Sequence, residues 1–201
     1  MKVQQYQQGQ PCWIELATHD WAAGKAFYQA LFGWGADDMP MPEGHYTMLQ
    51  IDGDDIAAMY PMPAEMEALP THWTIYFAVD DVDATSKAVT QAGGEIIAGP
   101  HSVGDAGRMA LCTDPEGCRF ALWQGQDTEW YADEQAIGGM MAMTAEWGDT
   151  PAHWMSYFAV DDCDVSVTKA QTLGATVCVP ATDIPNVGRF SVLNDPQGGV
   201  F

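Results

Sequence analysis

The chain has 201 residues, 47% hydrophobic and 17% charged, a balance that fits one large or two small folded domains and excludes a disordered protein. Its 28 Asp and Glu against 7 Lys and Arg leave a net charge of −21, which repels nucleic acid and anionic lipid, so neither is expected as a partner. No apolar run reaches membrane-spanning length and "MKVQQYQQGQP" has no apolar signal region. The five cysteines form no C-x-x-C pair and read as reduced, buried small hydrophobes, so a cytoplasmic location is expected.

In chain order, "WIELAT" reads as a strand, Asp20 as a helix cap, and the residues up to Trp34 as an amphipathic helix with a glycine stop. "HYTMLQIDGDDIAAMYPM" is a hairpin turning near Asp52-Gly53. Trp73 to Val79 is a β-rich strand, "DDVD" supplies capping carboxylates, and "ATSKAVTQA" is a helix that Gly93 ends. "GEIIAGP", "GRMALCTD" and "CRFALWQ" follow as strands, with "DPEG" turning between the last two. Further on, Gly138 to Met143 and the segment from Trp154 read as strands again.

The phrase "THWTIYFAVDD" (Thr71 to Asp81) returns as "AHWMSYFAVDD" (Ala152 to Asp162). The offset of 81 holds without a gap from Ile56/Ile137 to Phe120/Phe201, and it pairs His72 with His153, Arg108 with Arg189 and Asp114 with Asp195. A match of that length marks a duplicated βαβββ unit, and the N-terminal 60 residues are a fainter third copy.

These features, with D-P-x-G before the last strand and Phe27-Tyr28 seven residues past Asp20, resemble the vicinal oxygen chelate superfamily. This is the glyoxalase I, bleomycin-resistance and extradiol-dioxygenase group. The resemblance extends to its two-domain glyoxalase-like bacterial proteins through P-C-W-x-E-L, H-W-x-x-Y-F-A-V-D-D and G-R-F-x-V-x-x-D-P-Q-G. It implies an α+β fold whose tandem βαβββ units form a cup-shaped, barrel-like mixed sheet with helices outside. Residues 11–125 would make one complete domain. Residues 126–201 would make a partial second one, a single unit lacking its final strand plus the last strand of a missing unit.

The resemblance also implies metal ligands on the first and last strands of each unit, seven residues before the capping Asp or after the Asp of D-P-x-G. Those positions hold Trp13, Thr74, Ala121 and either Ala57 or Ala58, so no metal and no other cofactor is expected. Strand alternation instead turns Trp13, Glu15, Thr74, Tyr76 and Trp123 toward the cup, with Met48 and Gln50 from a third strand. A carboxylate inside an aromatic wall needs a partner, a raised pKa or a ligand, which makes Glu15 the leading candidate and a tentative general base. His72, on the face of Thr74, either binds ligand, with Glu15 able to build a displaced site for a divalent metal, or is a strand-entrance cap. Arg108 either pairs with a carboxylate or holds an anion.

The expected function is metal-independent binding of a small aromatic or electrophilic molecule. The alternative is a glyoxalase-type lyase or dioxygenase-like enzyme with Glu15 as base and Arg108 or Tyr76 holding the developing anion. A third possibility is an interaction protein with a filled cup. The lone third unit, presenting Met155, Tyr157 and Ala159, is expected to pair with its copy in a homodimer.

Overall fold

The computed structural model describes residues 6–41, 44–125, 138–185 and 187–201. The expected junction through "DTEWYADEQAI", including Tyr131, lies outside the described residues. The chain divides into two compact units, each drawn from two stretches of sequence. One comprises Ile14–Trp73 with Met155–Phe201; the other comprises the described residues up to Trp13 and Thr74–Trp154.

In the first unit, β1 (Pro11–Thr18, from Ile14 onward) leads to α1 (Trp21–Phe32), then β2 (Gly35–Met41), β3 (Gly44–Ile51) and β4 (Asp54–Pro61). Helix α1 starts where the Asp20 carboxylate accepts the Ala23 N–H and stops at Gly33, whose φ of 75° closes the last turn on the Gln29 carbonyl. The strands lie in the order β2-β3-β4-β1, with β4 parallel to β1 and the other pairs antiparallel. The hairpin turns at Asp52-Gly53 as expected, both residues at positive φ (53° and 83°). Strand β2 escapes a sequence reading because "GADDMPM" carries Asp and Pro, residues depleted in strands. It forms as an exposed ladder edge, where Pro40 costs no inner hydrogen bond.

Leu16, Leu49 and Met59 are fully buried with Phe27, Tyr28 and Leu31 of α1. At Gly24 of α1 an added methyl would lie 3.3 Å from the Met59 Cε, so the close approach of helix and strand uses the absence of a side chain. The same unit carries α3 (Cys163–Thr172), β9 (Thr176–Ile184) and β10 (Gly188–Asn194), the last two an antiparallel pair. The aromatic rings of Tyr28, Phe32, Trp34, Trp73, Phe158 and Phe201 pack against one another, Tyr28 stacked on Phe32 and Trp34 and the other pairs edge-on or tilted, joining the α1 and α3 regions into one core. A buried polar chain runs through it. Trp73 Nε1 donates to Tyr28 Oη (3.0 Å), and Tyr28 Oη donates to Asp195 Oδ2 (2.8 Å). The Asp195 Oδ1 accepts the Gln197 and Gly199 N–H groups, each at 2.8 Å. Lys169 Nζ donates to the Leu31 carbonyl at the C-terminal end of α1 (2.7 Å), where the helix dipole favours a cation.

The second unit contains β5 (His72–Ala78, from Thr74 onward), α2 (Val82–Gln91), β6 (Glu95–Val103), β7 (Gly107–Thr113) and β8 (Arg119–Gly125). Its strand order is β5-β8-β7-β6, again with the first and last strands parallel. Asp81 caps α2 through Ala84 and Asp162 caps α3 through Val165, so both "DD" pairs serve helix starts as expected. Val79, Val82, Ala110, Cys112 and Leu122 form the core under α2. The fold is α+β, with mixed ladders and helices packed on one face, as the sequence implied.

Two expectations are corrected. Gly138–Met143 and Trp154–Val160 belong to no ladder, though both read as strands. β5 owes its regularity to β8, through the Tyr76↔Ala121, Phe77↔Leu122 and Ala78↔Trp123 pairs, whereas among the described residues no strand is bonded to Trp154–Val160. The cysteines are free, but only Cys112 and Cys118 are buried; Cys12 and Cys163 are half-buried and Cys178 is exposed. Among the described residues no helix is long and apolar enough to cross a membrane.

Candidate functional site

Register assigns the sheet faces in the first unit. Thr47 pairs with Met59 on the face that packs α1, where Trp21 Nε1 donates to Thr47 Oγ1 at 2.8 Å. One residue along, Met48 pairs with Ala58, and Ala58 pairs with Glu15 across the parallel β4·β1 ladder. Glu15, Met48 and Ala58 therefore share the face turned away from α1, together with Ala17, Tyr46 and Tyr60 by alternation. Glu15 is buried at 8% exposure. Tyr46 Oη donates to Glu15 Oε1 at 2.6 Å, a short bond. The Tyr46 and Tyr60 rings stack at 6.5 Å with 15° between their planes. The result is a buried carboxylate fixed by a phenol beside an aromatic wall, over a floor of two fully buried alanines, Ala17 and Ala58.

Sequence parity put Glu15 and Met48 on one face, as the register does, but gave no sign of the Tyr46 partner. The face itself follows from parity: Tyr46 lies two residues before Met48 on the same strand, and Tyr60 two after Ala58. Gln50, named with Met48, donates to Asp55 Oδ1 instead (2.8 Å). His72 also lies in this unit, and its Nδ1 is 2.7 Å from the Pro70 carbonyl. His153 repeats the contact with Pro151 at 2.8 Å, so this bond belongs to the duplicated strand entrance.

Trp13, Thr74, Tyr76 and Trp123 fall in the second unit. Tyr76 pairs with Ala121 and Ala78 with Trp123, so Thr74, Tyr76, Ala121 and Trp123 share one face there, and Met109 joins it opposite Trp123. Thr74 and Tyr76 are buried, and Cys12 Sγ lies 3.4 Å from the Tyr76 carbonyl. Burial pushes the Cys12 thiol up to about 12, which makes it a poor nucleophile.

Arg108 corrects the expectation that placed it in the pocket. It pairs with Gln124 on the opposite face, the one that meets α2, and its guanidinium bonds Asp83 Oδ2 at 2.9 Å and Ser102 Oγ at 3.4 Å. Arg189 repeats the arrangement with Asp164 (2.7 and 2.9 Å) and Asp183 (3.0 Å). In both copies the arginine ties a strand to the first turn of its helix, and the carboxylates hold the Arg189 guanidinium still more firmly protonated. Both arginines are solvent-facing, so each tie contributes little to stability.

The strand positions where the fold carries metal ligands hold Trp13, Ala58, Thr74 and Ala121, two of them without any donor atom and none a His, Glu or Gln. Among the described residues no cluster of three or more His, Cys, Asp or Glu side chains is placed to hold an ion. Those four positions offer no imidazole or carboxylate to a divalent metal.

Two strand–helix–three-strand units with parallel outer strands and a polar residue on the inner face define a glyoxalase-type fold. Residues 11–122 match the Glyoxalase/Bleomycin resistance protein/Dioxygenase superfamily, and the chain belongs to it. It is 37% identical to CFP32 of Mycobacterium tuberculosis, provisionally named a glyoxylase, over 250 aligned positions covering 100% of this chain and 96% of the relative. It is also 33% identical to the anthracycline biosynthesis protein DnrV of Streptomyces peucetius, covering 96% of this chain and 92% of that one. Among solved structures, the Mn(II)-bound glyoxalase from Novosphingobium aromaticivorans aligns with a TM-score of 0.56 at 14% identity, over 96% of this chain and 81% of that one. That likeness is one of fold.

Proposed function

We propose that the protein binds a small aromatic molecule, neutral or cationic, without a metal ion, and that Glu15 is the group that orients it. The carrying observation is the Glu15 carboxylate, buried on a sheet face and fixed by Tyr46 beside the Tyr46–Tyr60 stack. A carboxylate accepts hydrogen bonds, so the complementary ligand offers a hydroxyl or ammonium donor, and the net charge of −21 disfavours an anion. The four donor-poor strand positions support metal independence. The name of the Streptomyces relative supports a planar polycyclic ligand. The alignment of 250 positions against 201 residues supports reading residues 126–201 as an abbreviated second domain.

The test is a titration of purified protein with an anthracycline, followed by tryptophan fluorescence. Saturable quenching that survives EDTA is expected, with Glu15→Gln and Tyr46→Phe each weakening the Kd about tenfold, the value of one buried hydrogen bond to a charged group. Equal affinity in the Glu15→Gln variant would reject Glu15 as the orienting group. The second reading, a lyase with Glu15 as general base, rests on the same carboxylate. Turnover of the methylglyoxal–glutathione hemithioacetal, lost in Glu15→Gln, would establish it over simple binding. Turnover that requires an added divalent ion would overturn metal independence.

A further inference from the structure

Ser102 stands where its repeat counterpart is an aspartate. At the offset of 81, Ser102 aligns with Asp183, Arg108 with Arg189 and Asp83 with Asp164. The backbone agrees with the alignment: Ser102 pairs with Arg108 across β6·β7, and Asp183 pairs with Arg189 across β9·β10. Each copy of this strand pair thus holds an arginine at the same register, facing Ser in one copy and Asp in the other. In the later copy Arg189 Nε and Nη2 donate to Asp164 (2.7 and 2.9 Å) and Nη1 donates to Asp183 (3.0 Å). In the earlier copy Arg108 Nη2 donates to Asp83 at 2.9 Å, but Nη1 reaches the Ser102 hydroxyl only at 3.4 Å. That is longer than the usual range of about 2.7–3.2 Å. Among the described residues, Arg108 therefore meets one carboxylate where Arg189 meets two.

Ser102 is also accessible to a modifying enzyme. Its side chain is exposed, β6 is the edge of its ladder, and the residue directly precedes the turn that the Ala106 N–H closes on the Val103 carbonyl (3.0 Å). A phosphate on Ser102 would supply what Asp183 supplies in the other copy, an anionic oxygen for Nη1, and the guanidinium fork matches phosphate as it matches carboxylate. Asp83 does not forbid this, since Asp164 and Asp183 share one guanidinium in the other copy. We propose that Ser102 is a phosphorylation site and that Arg108 holds the phosphate. The step is phosphoryl transfer from a nucleoside triphosphate, catalysed by a protein kinase. The bond from Ser102 Oγ to the γ-phosphorus forms as the bond from that phosphorus to the bridging oxygen breaks. The hydroxyl proton passes to the kinase's base, and the nucleoside diphosphate leaves. The phosphate then ties β6 and β7 to the first turn of α2, a reversible counterpart of the tie that Asp183 makes permanent in the other copy. This inference does not depend on the ligand proposed for Glu15.

Protein purified from its own cells, in exponential and in stationary growth and with phosphatase inhibitors present, is expected to carry one added phosphoryl group. Fragmentation of the tryptic peptide 88–108 is expected to place it on Ser102. In protein phosphorylated at Ser102, phosphorus NMR should show the phosphate titrating about half a pH unit lower than in the Arg108→Gln background, because the guanidinium favours the dianion. Arg108 is partly exposed and its tie contributes little to stability, so this variant should keep the circular dichroism of the parent. No phosphate on Ser102 in either growth phase overturns the site, as does phosphate on Thr90 of the same peptide instead. Equal titration in the two backgrounds overturns Arg108 as its holder.

Discussion

Replacing Gly107 by Ala is expected to lower folding stability by about 2–3 kcal/mol, the upper range for overpacking a well-filled site. The new methyl would sit 2.3 Å from the Gln124 backbone carbonyl and 3.0 Å from Trp123 Cζ2. A side chain could rotate away, but Gln124 O belongs to the β7·β8 ladder, where Gly107 pairs with Gly125. Relief therefore needs β8 to move, and Trp123 moves with it. Urea denaturation followed by tryptophan fluorescence would read the loss as a lower midpoint. An unchanged midpoint would mean that the close approach of β7 and β8 is not a real constraint.

The Tyr28→Phe variant is expected to lose about 1–3 kcal/mol, the cost of leaving buried hydrogen-bonding groups unmatched. The hydroxyl accepts from Trp73 and donates to Asp195, which is 3% exposed, so its removal strands a donor and an acceptor together. The loss also depends on pH. Burial raises the Asp195 carboxyl above its ordinary range, while the bonds from Gly199 and Tyr28 oppose the rise. A group whose folded-state pKa is raised contributes stability below its unfolded pKa and loses that contribution as pH climbs through the folded value. Removing the Tyr28 bond pushes the folded value higher still. The variant should therefore be more destabilised at neutral pH than in mild acid. Paired denaturation curves of parent and variant at the two pH values test this; a pH-independent difference would show that Asp195 does not ionise against Tyr28.

The regular parts of the fold were legible because they rest on local chemistry. Alternating apolar residues, capping Asp20, Asp81 and Asp162, and the Asp52-Gly53 turn each act within a few residues, so a single sequence contains them. The repeat at 81 residues and the inward parity of Glu15 were legible for the same reason. The failures share one cause. "GADDMPM" becomes β2 because β3 offers it an edge, and the strand-like Trp154–Val160 stays outside any ladder because no strand among the described residues bonds to it. A ladder is a property of two segments, and propensity describes one.

From the sequence alone came the superfamily, the duplicated unit, the residue types at the metal positions and the identity of Glu15. Tertiary structure alone decided which partner each polar group takes. It gave Glu15 the Tyr46 phenol from a strand 31 residues away, assigned Arg108 to Asp83 on the helix side, and joined Tyr28 to Asp195 across 167 residues. Hydrogen bonds and ion pairs act over about 3 Å, and chain separation carries no information about which distant groups will meet at that range. Register and packing settle the pairing only once the strands are side by side, because a shift of one residue would turn Glu15 to the other face.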